Sequence, residues 1–423
     1  MYGLRAVTVP LIHWTVDFEG PIDRARMARA LRLVLDAEPV LGCRFVPRPI
    51  QPYFERFPSD DLDRRELLRE GDGGLVDGRH PVESFLAEEP DLGAEPQLKA
   101  LMVPHKGGER LVLKISHLTA DGAGAKEIAY RLASVYRKLA RRPNLNVVPN
   151  QSSRSMLQVC RHVPPFSVPR LLWRSVKDNV TTRVPYRSLQ YPSGRRDTGP
   201  MSFEVHRFSG ARFAALDAFR RRTGATMNDL LVTAMLRASV RMLGEGAPGA
   251  YRLLVTVDLR RFIPRKVGAA AANLSSFLII DLGRDLGRTF SETLGRAKTR
   301  LDAAKAELPG LAFMLGSLVV TLPVPFFLLP ALGTLIMNGG AFTGNEPPAL
   351  TNVGRIERRK LDFGGPAVAN AEVGVTASLP PHVVIAASGF GDSATLSAGF
   401  QESAVPRKLF VDLFEAMDRE LPG

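Results

Sequence analysis

Apolar positions repeat at two spacings along this chain, and each change of spacing marks a predicted element. Val7, Val9, Leu11, His13 and Thr15 alternate into Val16 and Phe18, the period of a strand. Pro21 then opens a stretch in which Met27, Leu31, Val34 and Leu35 fall on one helical face. Asp36 to Pro39 ends that helix, and "VLGCRFV" follows as a strand. "LKALMVPHKGGERLVLKIS" reads as a hairpin that turns at Lys106-Gly107-Gly108. After Gly124 the helical period returns through Ile128, Leu132, Val135, Tyr136 and Leu139, with basic residues gathered at the end.

The second half restarts at "MSFEVHRFS", a strand. Ser209 caps a helix that runs to Gly224, and Thr226 opens another with Asp229 in the third position of a capping box. "YRLLVTVDLRRF" and "NLSSFLIIDL" are strands; Leu294, Ala297, Leu301, Ala304 and Leu308 mark a helix face. "PHVVIAASGFGDSATLSAGF" reads as strand, and a closing helix runs from about Pro406 to Leu421. Strands and helices alternating in this way predict an α/β fold.

Length divides the picture in two. The chain has 423 residues, which implies two domains of about 200 residues each. The stretch 146–200 is rich in proline and basic residues, so we divide the chain into 1–145, a connector 146–200, and 201–423. Apolar content of 45% and charged content of 23% exclude a disordered chain. Two cysteines, Cys43 and Cys160, make neither a disulfide framework nor a structural zinc site. The first twenty residues lack the pattern of a signal peptide, and a reducing, cytoplasmic setting is expected.

Charge narrows the partners. The net charge is +13, and between Arg141 and Asp197 ten arginines and Lys177 face only Asp178 and Asp197. Such a balance favours anionic partners: a phosphorylated small molecule, an anionic membrane surface or nucleic acid. Nucleic acid is not expected, because the basic connector interleaves few aromatics, only Phe166, Trp173, Tyr186 and Tyr191. From Leu308 to Asn345 there is no charge at all. Pro323, Pro325 and Pro330 cut this run, leaving about 12 uninterrupted residues, roughly 18 Å of helix. That is short of a ~30 Å hydrocarbon core. We expect peripheral docking at a membrane and not a span, with a pair of buried core helices as the alternative.

The chemistry concentrates in "LVLKISHLTADGAG", where a predicted strand delivers His117, then Asp121, Gly122 and Gly124. An imidazole at the mouth of a sheet can take a proton from an attacking hydroxyl or amine near neutral pH. A metal is not expected, because no further His or Cys stands at ligand spacing. No serine sits in a Gly-x-Ser-x-Gly elbow, so Asp121 has no nucleophile to serve as the third member of a triad. The glycines suit a tight backbone where strand gives way to helix. A general base without a protein nucleophile fits direct acyl transfer from an activated donor.

"SHLTADG" resembles the His-His-x-x-x-Asp-Gly motif of the chloramphenicol acetyltransferase-like superfamily, which includes condensation domains, wax ester synthase/diacylglycerol acyltransferases and alcohol acetyltransferases. "ALRLVLDAEPVLGCRF", "GATMNDLLVTAMLRA", "VTVDLRRF" with "AANLSSF", and "TNVGRI" resemble other parts of these proteins in the expected order. The resemblance implies two chloramphenicol acetyltransferase-like α/β subdomains side by side, with a tunnel between them and His117 near its middle. It implies His117 as general base, and Asp121 as a structural residue paired with an arginine of the second half. Arg260 is the better match and Arg261 the near alternative. Ser116 stands where the motif has its first histidine, which is not the base. Ser275, Thr351 and Asn352 are candidates for polar lining or oxyanion contact, with strand-edge hydrogen bonding as the plainer alternative.

The expected activity is transfer of an acyl group from a thioester to a hydroxyl acceptor, lipophilic in view of the apolar run. The co-substrate is acyl-coenzyme A or an acyl carrier protein thioester, with no tightly bound cofactor. One alternative is a free-standing condensation enzyme that joins acyl or peptidyl carrier-bound donors to an amine or hydroxyl. Another is a non-catalytic binding module with a decayed site, suggested by Ser116.

Overall fold

The computed structural model describes residues 11–75, 79–181, 186–187, 201–243, 250–264, 271–333, 335, 347–375 and 382–423. Val7 and Val9 of the first predicted strand, Tyr191 with the end of the connector, and residues 336–345 of the apolar run lie outside them.

Two sheets carry the fold. The first contains β1 (Leu11–Phe18), β4 (Leu68–Glu70), β5 (Leu98–His105), β6 (Gly108–Ser116) and β12 (Val368–Gly374), in the order β12-β1-β6-β5-β4. The second contains β8 (Met201–Ser209), β9 (Ala250–Asp258), β10 (Ser275–Asp281), β11 (Ala349–Ile356), β13 (Val384–Phe390) and β14 (Ser393–Gln401), in the order β10-β9-β11-β13-β14-β8. The short β7 (Tyr186–Arg187) pairs with β9, and β2 (Cys43–Val46) pairs with β3 (Tyr53–Arg56) in a ribbon of its own.

Alternation along β1 explains the first lobe. Ile12, Trp14, Val16 and Phe18 point into one core with Leu111, Leu113 and Ile115 of β6. That core is roofed by α1 (Arg24–Ala37) and α4 (Gly122–Leu139), whose Met27, Leu31, Ile128 and Leu132 are fully buried. Leu11, on the opposite face, meets Leu101, Val103 and Val112 in a second cluster, closed by Phe85 of α3 (Pro81–Ala87). Both faces are therefore covered, and all eight residues of β1 are buried. The β5–β6 hairpin turns through Lys106 and Gly107, both at positive φ. The small α2 (Ser59–Arg64) completes this lobe at Leu62.

The second lobe packs α7 (Gly210–Thr223), α8 (Met227–Leu243), α9 (Phe290–Ala306) and the C-terminal α11 (Arg407–Glu420) on its sheet. The capping box is present: Thr226 N donates to Asp229 Oδ2 at 2.8 Å, and Asp229 N to Thr226 Oγ1 at 3.2 Å. Gly224 ends α7 in the left-handed region, whereas Ser209 begins it without a side-chain cap bond. The stretch read as one strand, "PHVVIAASGFGDSATLSAGF", is two: Gly391, at φ 55°, turns β13 back on β14.

Two features depart from the linear division. Val368–Gly374 leaves the second half and pairs antiparallel with β1, extending the first sheet. Leu361, Phe363 and Val373 go with it into the first core. The connector is not a free tether either: α5 (Leu157–Cys160) and α6 (Val168–Thr181) fold, and Val159 and Leu171 enter a core with Val257, Leu259 and Leu274.

The apolar run forms α10 (Leu311–Thr321), which buries Leu311, Ala312 and Met314 in that same core and leaves Phe313, Val319 and Val320 exposed. Of the expected buried pair, α10 is thus buried on one side only. Among the described residues no single helix is long and apolar enough to cross a membrane; α9 and α10 meet at a 60° bend.

The opposite face of the first sheet carries a buried titratable group. His13 is buried, its ring lies edge-on to Phe203 at 4.6 Å, and among the described residues its Nδ1 has no hydrogen-bond partner. Gly374 opposite it leaves the ring its room. Burial pushes the His13 pKa down to about 4. The unfolded chain takes up this proton near 6.5, so between about 6.5 and 4 the unfolded state binds more protons. Stability should fall as pH drops through that window, by on the order of 3 kcal/mol from this group. Thermal unfolding between pH 7 and 4 should show a shallower loss for His13→Phe; an unchanged slope would assign the loss to other groups.

Candidate active site

The site forms where the end of β6 meets the second lobe. Ser116 is the last residue of β6 and starts a turn: its carbonyl accepts from Thr119 N and Ala120 N, and its Oγ from Leu118 N at 3.3 Å. Ser116 is buried, and its hydroxyl shapes this turn. His117 follows, half-buried, at the point where the chain leaves the sheet.

Asp121 ends the turn and caps α4. Its Oδ1 accepts from Gly124 N at 2.7 Å and its Oδ2 from Leu274 N at 2.7 Å. Arg260 Nη1 donates to both oxygens, at 2.9 and 2.8 Å. Arg260 Nη2 donates to Ala272 O at 2.7 Å, and the same carbonyl accepts from Asp121 N at 3.2 Å. Arg260 sits in the 3-10 turn after β9, where Asp258 accepts from its backbone N and from Nη1. A buried carboxylate of the first lobe is therefore saturated by Gly124 of its own lobe together with Arg260 and Leu274 of the second. Arg261, one residue on, is exposed.

The two glycines do something other than relax the backbone. Gly122 has a helical, negative φ, and a Cβ there would lie 2.5 Å from Val353 Cγ1. Its missing side chain lets β11 approach the start of α4, where Lys126 Nζ donates to Val353 O at 2.8 Å. Gly124 contributes the N–H that Asp121 accepts.

Orientation of His117 comes from the backbone and from Asn273. Burial lowers its pKa below the ordinary imidazole value; the Asp121 charge and the backbone carbonyls of His117 and Ala120 act in the opposite direction. Asn273 Nδ2 donates to His117 O at 3.1 Å and lies 3.2 Å from Nδ1, while Asn273 Oδ1 accepts from Ser275 Oγ at 2.9 Å. Ser275 thus reaches the site at one remove.

Thr351 and Asn352 are held within the second lobe. Thr351 Oγ1 pairs with Thr256 Oγ1 at 3.0 Å, and Asn352 bonds Asn228 and Gly354 N. Two residues of the site carry no signal as single letters. Asn273 lies inside the quoted "AANLSSF" but only the fold sets it under His117. Arg154, in the basic connector, donates to Ala271 O at 2.6 Å and to Thr119 O at 3.4 Å, and so bridges both sides of the site. Burial pulls its pKa down to about 10, which leaves it charged at neutral pH. Beside the turn, Leu118 packs in an apolar cluster with Phe45, Phe54, Phe326 and Leu329. Among the described residues no group of three or more His, Cys, Asp or Glu could hold a metal ion.

This arrangement makes a direct expectation for Asp121→Asn. The substitution removes one charge of a buried pair and strands the other, which typically costs about 3–5 kcal/mol. Chemical denaturation should show a loss of that order, with Arg260→Met losing a comparable amount. A variant as stable as the parent would mean that the pair does not hold the lobes.

No protein-family model matches the sequence, and no curated protein matches it. Solved structures do match over nearly the whole chain. The first condensation domain of the calcium-dependent antibiotic synthetase, in complex with a substrate analogue, is 17% identical with a TM-score of 0.73, over 98% of this chain and 91% of that one. Trichothecene 15-O-acetyltransferase TRI3 from Fusarium sporotrichioides is 12% identical with a TM-score of 0.68, over 98% and 90%. Polyketide synthase associated protein 5 from Mycobacterium tuberculosis is 14% identical with a TM-score of 0.65, over 97% and 93%. The chain has the two-lobed, chloramphenicol acetyltransferase-like fold that these condensation domains and acetyltransferases share.

Proposed function

We propose that this protein is an acyltransferase that moves an acyl group from a thioester to a hydroxyl, with His117 as general base. The observation that carries the reading is the half-buried imidazole at the lobe junction, with Asn273 Nδ2 3.2 Å from its Nδ1 and Asn273 also holding the His117 carbonyl. Asp121 supports the base without touching the reaction, since Arg260, Gly124 and Leu274 take both its oxygens. The fold shared with condensation domains and an acetyltransferase supports the same class of chemistry.

In this reading Nε2 removes the proton of the acceptor hydroxyl as its oxygen attacks the thioester carbonyl. The tetrahedral intermediate collapses, the C–S bond breaks, and the thiolate recovers the proton from the imidazolium. A base of this kind contributes about 10²–10⁴-fold. Alignment of donor and acceptor supplies the remainder. Ser116 is compatible with activity because its hydroxyl serves the turn and not the reacting atoms. The apolar cluster at Leu118 supports a lipophilic substrate.

His117→Ala should therefore keep the parent's melting temperature and lose turnover of an acyl thioester by about 10²–10⁴-fold. The wild-type kcat/KM should hold to a lower pH than an ordinary imidazole near 6.5 allows, because only the neutral ring accepts the proton. Parent-like turnover in the variant would exclude His117 as base.

The donor separates two readings. We favour coenzyme A, since the basic connector can meet its phosphates and the apolar run suits a free lipid-like thioester. The likeness to condensation domains, matched over 92% of one such domain, supports a carrier-protein donor instead, with an amide or ester as product. The same acyl group offered in competition on coenzyme A and on an acyl carrier protein decides between them. Coenzyme A should be preferred, and a strong preference for the carrier would establish the condensation reading.

A further inference from the structure

Large apolar side chains left exposed on this protein are concentrated in one region. Of the sixteen exposed among the described residues, eleven lie between Leu157 and Val176 or between Phe313 and Leu335. Those two stretches are neighbours in space. Leu171 of α6 enters the same core as Leu311, Ala312 and Met314 of α10. Ser175 packs directly on Gly316, where a Cβ would clash with its side chain. Two helices laid side by side on one core turn their remaining faces to the same side.

The outer stripe of α6 is Pro169, Arg170, Trp173, Val176 and Lys177, a spacing of three and four residues. Trp173 is 70% exposed. On α10 and just beyond it, Val319, Val320 and Leu322 stand out, the last at 63%. The charges within this region are one-sided. The run 308–345 has none. The acids near α6 are taken up by Arg174, which bonds Glu307 at 2.5 Å and lies 3.8 Å from Asp178. Arg161, Arg170 and Lys177 are left facing water.

We infer that the paired outer faces of α6 and α10 dock this protein on an anionic lipid bilayer. An apolar stripe with an indole and a basic border matches the boundary between acyl chains and negative headgroups. A second copy of the chain fits less well, since a two-fold contact through this face sets Arg170 and Lys177 against their own kind. The docking is shallow: α10 has 11 residues, and its inner side is buried in the protein. The inference does not depend on what His117 does.

The chain's two tryptophans make the test clean, because Trp14 is fully buried in the first core and Trp173 is exposed. The full chain is mixed with vesicles of equimolar phosphatidylcholine and phosphatidylglycerol, and with vesicles of phosphatidylcholine alone. We expect sedimentation with the anionic vesicles, a blue shift of the emission, and quenching by brominated acyl chains. High salt should weaken the binding. Trp173→Asp and Val320→Asp should each lower partitioning at least about tenfold without moving the melting temperature. The proposal is overturned if the parent does not bind anionic vesicles, if it binds neutral ones equally well, or if neither variant reduces binding. A concentration-dependent dimer that Trp173→Asp dissolves would also overturn it and name a second copy as the occupant.

Discussion

Everything at the site depends on one buried ion pair. Asp121 is only 2% exposed, and moving a carboxylate out of water costs several kcal/mol. The fold offsets that cost by giving each oxygen two donors, one backbone N–H and one Arg260 nitrogen contact apiece. The donors come from both halves of the chain: Gly124 from the first, Arg260 and Leu274 from the second. The carboxylate is satisfied only when the lobes are joined, so the geometry of the His117 turn and the closure of the lobes are one event. Charge alone would not require this arrangement; the backbone donors on both sides make it specific to one register.

The same saturation decides what Asp121 cannot do. A triad aspartate must spend an oxygen on the ring nitrogen of its histidine. Here both oxygens are occupied, and it is Asn273 that meets the His117 ring at Nδ1 and holds the His117 carbonyl. The carboxylate acts on the imidazole through space, raising a pKa that burial lowers. The saturated carboxylate therefore does not complete a triad with His117, which agrees with the lack of a serine elbow or a cysteine motif in the chain.

Much of the fold was legible because its signals are local. The hairpin at Lys106-Gly107 follows from turn chemistry, the Thr226–Asp229 box from capping, and α1 and α4 from a 3.6-residue period. The Asp121–Arg260 pair was legible only through resemblance, since 139 residues separate its members. What escaped was non-local or masked by composition. "VANAEVG" has small residues and no strong alternation, and nothing in it says that it pairs with β1 instead of a strand of its own half. Gly391 is one of three glycines in an apolar stretch, and its positive φ is what makes it the turn. Gly122 read as backbone freedom because sequence cannot show Val353 pressing on it. Arg154 looked like one more charge of a solvated connector, whereas the fold buries it between Ala271 and Thr119.

The apolar run has residues both at the surface and beside the site. Phe327 is 60% exposed, while Phe326 beside it is buried. Phe326 N and Phe327 N donate to the carbonyls of Ile50 and Pro49, so this stretch crosses from the second lobe to the first and is fastened there. The Phe326 ring lies 5.8 Å from that of Phe45, in the cluster that also holds Leu118, the residue next to His117. One short turn therefore has its outer residues in contact with solvent and its inner residue in the cluster beside His117. A polar segment could have bridged the lobes equally well, through backbone hydrogen bonds like those to Pro49 and Ile50. That the bridge is apolar on both sides places exposed Phe327 directly beside buried Phe326, so a single residue separates solvent from the cluster that holds Leu118.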